Sequence, residues 1–222
     1  MKLSDLKDKI DSRLFGIISN QISELRPSQE KSINAGLLKG KNLVVCTPTA
    51  SGKTLVAEIA MLNNFLTKNK KAIYIVPLKA LASEKYKNFK KRYDELEVKI
   101  GISTGDLDSV DKGLGKNDIV IATAEKMDSL IRHDVPWVYD VGTVVIDEAH
   151  LVNDVNRGPT LEILITMLRT MLKDFQLIAL SATIGNPEEF SHWLDAELVI
   201  DEWRPVPLRK GIMMGDELSF YE

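Results

Sequence analysis

Thr47-Pro48-Thr49-Ala50-Ser51-Gly52-Lys53-Thr54 lies between an apolar run, Leu43-Val44-Val45-Cys46, and a helical pattern opening near Leu55. A loop that turns from a strand into a helix points several backbone N–H groups, and the positive end of the helix dipole, at one place. That arrangement suits a polyphosphate. Gly52 allows close backbone approach, Lys53 reaches the outer phosphates, and the Thr54 hydroxyl is placed for a magnesium ion. The Walker pattern asks for glycine where this chain has Thr47, so the strict pattern is broken while its strand-loop-helix setting is kept.

Working outward, apolar β-branched runs recur at 43–46, 72–76, 98–102, 119–122, 143–146, 177–180 and 198–200, and helical patterns at 55–66, 80–93, 124–132, 160–172 and 187–194 separate most of them. Near-continuous apolar strands alternating with helices predict an α/β fold: a mostly parallel sheet with helices on both faces and ligands at the carboxyl ends of the strands. Residues 1–23 carry apolar positions at helical spacing and predict a short helical extension packed on this body.

The composition fits such a domain. Of 222 residues, 44% are hydrophobic and 27% charged, and no apolar run approaches the ~20 residues of a membrane span. Net charge is −3, so any nucleic-acid surface is a local patch and not a global positive field. One cysteine, Cys46, makes no internal disulfide, and no secretory leader pattern is evident; a reducing, cytoplasmic location is expected. With one Cys and three scattered His, zinc-ligand spacing is absent from the sequence.

Other polar groups fall on the same rim. In Leu25-Arg-Pro-Ser-Gln-Glu-Lys-Ser-Ile33, Pro27 suits the first turn of a helix and Gln29 projects near its start. A glutamine side chain has the donor and acceptor needed to read adenine, and it is equally an ordinary helix residue. Asp147-Glu-Ala-His150 follows the strand at 143–146. There one carboxylate can hold magnesium and the next can polarise the water that attacks a γ-phosphate. Ser181-Ala-Thr183 ends another strand and reads either as a coupling element between sites or as a plain strand exit.

Assembled, these residues resemble domain one of the superfamily-two helicases of DExH type, from Leu25 to about Leu208. The resemblance implies a RecA-like P-loop domain that binds ATP and Mg²⁺. In it Gln29 is the adenine-reading glutamine, Thr49 to Thr54 form motif I, Asp147 to His150 motif II, and Ser181 to Thr183 motif III. Lys53, Asp147 and Glu148 are then the catalytic residues; Thr54 and Asp147 hold magnesium; His150, Ser181 and Thr183 couple the sites. Val76-Pro-Leu-Lys-Ala-Leu81 is similar to motif Ia, Thr123-Ala-Glu-Lys126 to motif Ib, and Ser103-Thr-Gly-Asp106 to the glycine motif between them. Through these, Pro77, Lys79, Thr104, Gly105, Thr123 and Lys126 are expected to meet a nucleic-acid backbone. Ala124 stands where these relatives usually have proline.

Ala80-Leu-Ala-Ser-Glu-Lys-Tyr86, Asp128-Ser-Leu130, Arg157-Gly-Pro159 and Trp203-Arg-Pro-Val-Pro-Leu208 look most like the archaeal fork-processing DNA helicases related to Ski-type RNA helicases. That implies 3′ to 5′ movement on single-stranded or forked DNA, RNA being the alternative strand, by a monomer associated with the nucleoid. The basic run Lys85 to Arg92 reads as a solvated helix face.

Phosphoryl transfer gains roughly 10³ to 10⁵ in rate from an arginine at the γ-phosphate. In the resembled family a second RecA-like domain supplies it, so the chain is expected to be a fragment, weakly active alone, divided into an extension at 1–23, the ATP-binding domain at 24–208 and, at 209–222, a poorly ordered linker or the start of the missing second domain. Two other classes compete. A small-molecule P-loop kinase would leave Asp147 to His150 and Ser181 to Thr183 unexplained, and a non-hydrolysing ATP switch would be indifferent to Glu148.

Overall fold

The computed structural model describes residues 1–105, 113–182, 184–215 and 217–221. Seven strands form one sheet: β1 (Leu43–Cys46), β2 (Lys71–Val76), β3 (Ile100–Ser103), β4 (Ile119–Thr123), β5 (Val141–Ile146), β6 (Gln176–Ser181) and β7 (Glu197–Ile200). Their order is β3-β4-β2-β5-β6-β1-β7, and every pairing is parallel. This is the RecA-like P-loop α/β architecture, with the strands at the positions their apolar runs predict.

Side chains alternate across the sheet. Leu43 and Val45 of β1, with Ala72, Tyr74 and Val76 of β2, join one apolar cluster; Val44, Cys46, Ile73 and Ile75 join the other. The first face is covered by α1 (Ser12–Ser19), α3 (Lys53–Lys68) and α4 (Lys79–Tyr93), the second by α5 (Ala124–Arg132), α6 (Gly158–Met171) and α7 (Pro187–Trp193). A parallel sheet sealed on both sides is why its strands read as unbroken apolar runs.

The N-terminal segment belongs to the same packing. Leu6 and Leu14 are fully buried in the first cluster, Lys2 forms an antiparallel bridge with Glu24, and the terminal ammonium pairs with Glu30 on α2 (Pro27–Asn34). Each such leucine contributes about 1.5–3 kcal/mol of burial, enough to hold the segment as part of the domain body.

Near the carboxyl terminus, β8 (Lys210–Met214) and β9 (Glu217–Tyr221) pair as an antiparallel hairpin. Little order was expected there from the sequence. The alternation that makes it a hairpin is masked because both faces of its strands are exposed, leaving Ile212, Met213, Leu218 and Phe220 in solvent.

The topology places the site. Strand β6 lies between β1 and β5, so the loops after β1 and β5 flank the end of β6 on one rim. The P-loop, the acidic turn and Ser181 are therefore neighbours in space although distant in sequence.

Candidate functional site

The loop 47–52 leaves β1, and α3 begins at Lys53. Ala50 and Gly52 both adopt left-handed backbone, φ 64° and 95°. Gly52 is constrained twice: beyond its φ, an added Cβ would lie 2.5 Å from Gln29 Nε2, closer than packed atoms tolerate. Inside the loop, the Thr47 and Ser51 hydroxyls lie 2.7 Å apart, and Thr47 N–H donates to the Ser181 carbonyl at 3.2 Å.

Lys53 is buried and donates to the Thr47 carbonyl at 2.8 Å. Burial pulls its pKa below the usual lysine value, while Glu148 and Asp147 pull the other way. The buried ammonium is largely desolvated and bonded only to a neutral carbonyl, which leaves its charge available to an anion entering the loop.

Gln29 bridges two elements. Its Oε1 accepts from Arg26 N–H at 2.9 Å, capping α2, and its Nε2 donates to the Gly52 carbonyl at 3.1 Å. Arg26 Nη1 donates to the Ala50 carbonyl at 2.5 Å, and its guanidinium lies 5.4 Å over the Trp203 ring. Arg26, Gln29, Gly52, Thr54 and Leu55 help line a cleft of about 230 Å³ beside the loop. Amide, guanidinium and an open cleft together form a place where a planar heterocycle can be read at its edge.

Across the rim, β5 ends and Asp147 N–H donates to the Ile75 carbonyl at 2.8 Å, fixing the acidic turn to β2. Glu148 takes left-handed backbone, φ 53°, a costly state for a non-glycine residue and the only described non-glycine example in this turn. Both Asp147 carboxylate oxygens are engaged: Oδ1 accepts from Glu148 N–H at 3.1 Å, and Oδ2 from Tyr74 OH at 2.8 Å. Burial and the adjacent Asp147 hold the Tyr74 hydroxyl well above its usual pKa, so it stays a donor.

Lys85 completes the cluster. Its Nζ lies 3.1 Å from both Thr54 Oγ1 and Asp147 Oδ2. One oxygen from the first turn of α3 and one from the turn after β5 thus converge on one cation, and these two are the expected magnesium ligands. Glu148 is partly exposed and faces His150, whose Nδ1 is 3.4 Å from Glu148 Oε2 without hydrogen-bond alignment.

Ser181 is fully buried at the end of β6, and among the described residues its hydroxyl has no partner but the neighbouring buried Cys46 thiol, a weak one. A buried hydroxyl with no stronger partner than a thiol, between the two nucleotide loops, is suited to a coupling element. Thr183 and Asp106 lie outside the described residues.

The strand-facing residues divide. Lys79 at the start of α4 and Gly105 after β3 are exposed, and Pro77 and Thr104, in the loops after β2 and β3, are half-buried. Lys126 is 2% exposed, so its ammonium is not displayed to a phosphate as the resemblance implied. Thr123 is likewise buried and caps α5, accepting from Lys126 N–H at 3.3 Å. The Thr123 hydroxyl is thus used in capping the helix.

Sequence reasoning passed over Lys85 and Arg92 because they sit in a basic run. A helical count would have found them: Ala82, Lys85, Phe89 and Arg92 recur at three- and four-residue steps on the face that packs against the sheet. Arg92 pairs with the buried Glu58 of α3 at 2.7 Å, which also accepts from Tyr93 OH at 2.5 Å.

Comparison with known proteins agrees with this geometry. The chain is 52% identical over its whole length to the ATP-dependent DNA helicase Hel308 of Thermococcus kodakarensis, of which it covers 19%. It is 56% identical over 96% of its length to Hel308 of Pyrococcus abyssi, covering 29% of that protein. The chain thus spans less than a third of these curated relatives. Among solved structures, the DUF1998 helicase MrfA bound to DNA and AMPPNP superimposes with a TM-score of 0.73 at 30% identity, over 88% of this chain and 30% of that one. The DEAD/DEAH box helicase family profile matches residues 26–190, and the chain belongs to that family.

Proposed function

We propose that this chain is the ATP-binding RecA-like domain of an ATP-dependent DNA helicase that moves 3′ to 5′ on single-stranded or forked DNA. The observation that carries this reading is the convergence of Gln29, the loop 49–54, Asp147 and Glu148 on one rim, with exposed Lys79, at the start of α4, and Gly105, after β3, on the same rim. Gln29 reads the adenine edge, and the amides of Ala50 to Thr54 with the α3 dipole hold the phosphates. Lys53 neutralises the outer phosphates. Thr54 and Asp147 would hold a magnesium ion, which would supply charge neutralisation to the phosphates when bound. Glu148 orients the attacking water and takes its proton, and Ser181 passes the state of the phosphates along the rim.

A second RecA-like domain in the full-length protein completes the site with an arginine, and the hairpin of β8 and β9 begins the path toward it. Lys79, Thr104 and Gly105 grip the strand backbone without reading sequence, so binding weakens with salt. The similar proteins are DNA helicases by name, which favours DNA over RNA, and such a protein works in the cytoplasm at the nucleoid, as a monomer.

The test is ATP hydrolysis by this chain and by the same chain extended through the next domain, each with and without single-stranded DNA or RNA. The expected result is slow turnover by the short chain and strongly DNA-stimulated turnover by the long one. Rapid turnover by the short chain, indifferent to nucleic acid, would overturn the reading.

A further inference from the structure

We propose that Lys85 is the resident cation of the magnesium position, and that a divalent ion arriving with ATP must eject its ammonium from Asp147. The inference rests on the ATP reading above and assigns a positioning residue to it.

Lys85 Nζ touches the two side chains expected to bind the ion, Thr54 Oγ1 and Asp147 Oδ2, at 3.1 Å each. Lys53 is placed differently, on the Thr47 carbonyl within the phosphate loop. The two lysines therefore stand in for different things: one for the loop's phosphate contact, the other for the metal. A divalent ion within bonding reach of the same two oxygens would sit against the ammonium, and two cations cannot share that space.

The surroundings allow the exchange without losing the site. When Lys85 leaves, Asp147 keeps the Tyr74 hydroxyl on Oδ2 and the Glu148 N–H on Oδ1, so the carboxylate holds its direction. Attractive groups remain beside the displaced ammonium: its charge already acts on the buried Glu58 carboxylate, and the Tyr74 ring lies 5.4 Å from Nζ in its present position. The side chain is 15% exposed, so its path is short and partly open to solvent.

The consequence runs along α4. This helix begins at Lys79, directly after the Pro77-Leu78 loop expected to meet the strand, and Lys85 is its ionic tie to the nucleotide rim. Metal loading cuts that tie while leaving Arg92 bound to Glu58 at the far end of the helix. Occupancy of the metal position is thus reported to the strand-facing end of α4 by the loss of one ion pair.

The experiment measures Mn²⁺ binding to the nucleotide-free chain by electron paramagnetic resonance, for the unaltered protein, Lys85→Met and Lys85→Gln, with Asp147→Asn as the control that removes the site. Removing the competitor should tighten Mn²⁺ at least fivefold in both lysine variants, and their melting temperatures should rise on Mn²⁺ addition more than that of the unaltered chain. Circular dichroism verifies that each variant is folded; Lys85→Gln keeps a polar tip should Lys85→Met fail to fold.

Unchanged or weaker Mn²⁺ binding in the folded variants overturns the proposal. So does a tenfold loss of ATP affinity at saturating Mg²⁺ with unchanged Mn²⁺ affinity, which makes Lys85 a phosphate ligand. Failure of the unaltered chain to bind ATP with Mg²⁺ would strike the functional reading instead, so the two failures are distinguishable.

Discussion

Gln29 donates its amide to the Gly52 carbonyl at 3.1 Å, tying α2 to the phosphate loop before any base is read. Adenine must compete for that amide, since the Oε1 side is also spent on Arg26 N–H. Base recognition and loop position are therefore one event. Gln29→Ala should weaken ATP binding about 5- to 30-fold, the worth of one or two buried hydrogen bonds, and should reduce the preference for ATP over GTP. Competition binding of the two nucleotides measures both; unchanged preference would show that the base is read elsewhere.

Lys53→Ala removes the buried cation facing Asp147 and Glu148 and should weaken triphosphate binding about 100-fold, as loss of a charge-assisted contact does. Fluorescent-nucleotide titration reads this directly. Retention of tight binding would remove Lys53 from the phosphate cradle.

The Glu148 side chain is partly exposed on its left-handed turn, and its carboxylate takes no part in the hydrogen bonds that occupy Asp147. Glu148→Gln should hold ATP within about twofold while turnover falls by roughly 10² to 10⁴, the usual contribution of a general base. Equal turnover in the two proteins would support a switch that does not rely on hydrolysis.

Much of this site was legible because its chemistry is local in sequence. The strand-loop-helix at 43–55 and the acidic turn after 143–146 announce themselves by apolar runs ending in polar residues, and parallel-sheet topology alone brings such ends together. What the sequence hid is long-range pairing. Lys85 with Asp147 and Arg92 with Glu58 join residues in different elements, and a basic run looks solvated until the face of its helix is known. Lys126 misled in the opposite sense, since a short motif does not say whether its lysine points into the body. The hairpin at 210–221 was missed because no core face imprints an apolar period on it.

The pair at the far end of α4 makes a stability prediction. Glu58 is 2% exposed, and burial raises its pKa above 4.5 although Arg92 and Tyr93 oppose the shift. A carboxyl with a raised folded-state pKa stabilises least once pH has climbed through that value, where it must be buried as an anion. Arg92→Met should then cost about 2 kcal/mol at about pH 7, less than the 3–5 of a fully buried pair because the guanidinium is partly exposed and screened. The cost should shrink toward pH 4.5, where Glu58 takes a proton. Urea unfolding across this range tests it, and a pH-independent cost would show that the guanidinium acts through packing alone.

Lys31 and Asp201 join α2 to the end of β7 at 2.8 Å, and Trp203 N–H donates to the same carboxylate at 2.8 Å. Burial alone would raise the Asp201 pKa; the Lys31 hydrogen bond, the Trp203 N–H and the Lys31 charge outweigh it, and the value lies below 3.8. A depressed carboxyl contributes stability that is present above its unfolded pKa and lost as pH falls through the folded one. Asp201→Asn should therefore cost about 1 kcal/mol near neutral pH, and the gap to the unaltered chain should close only below pH 3.8. Because Trp203 lies over Arg26, itself bonded to the phosphate loop, the same substitution should also loosen the tryptophan. Denaturation followed by tryptophan fluorescence reads both effects. A gap that persists unchanged into acid would mean that Asp201 acts as a neutral hydrogen-bond acceptor, not as the anion that ties β7 to α2.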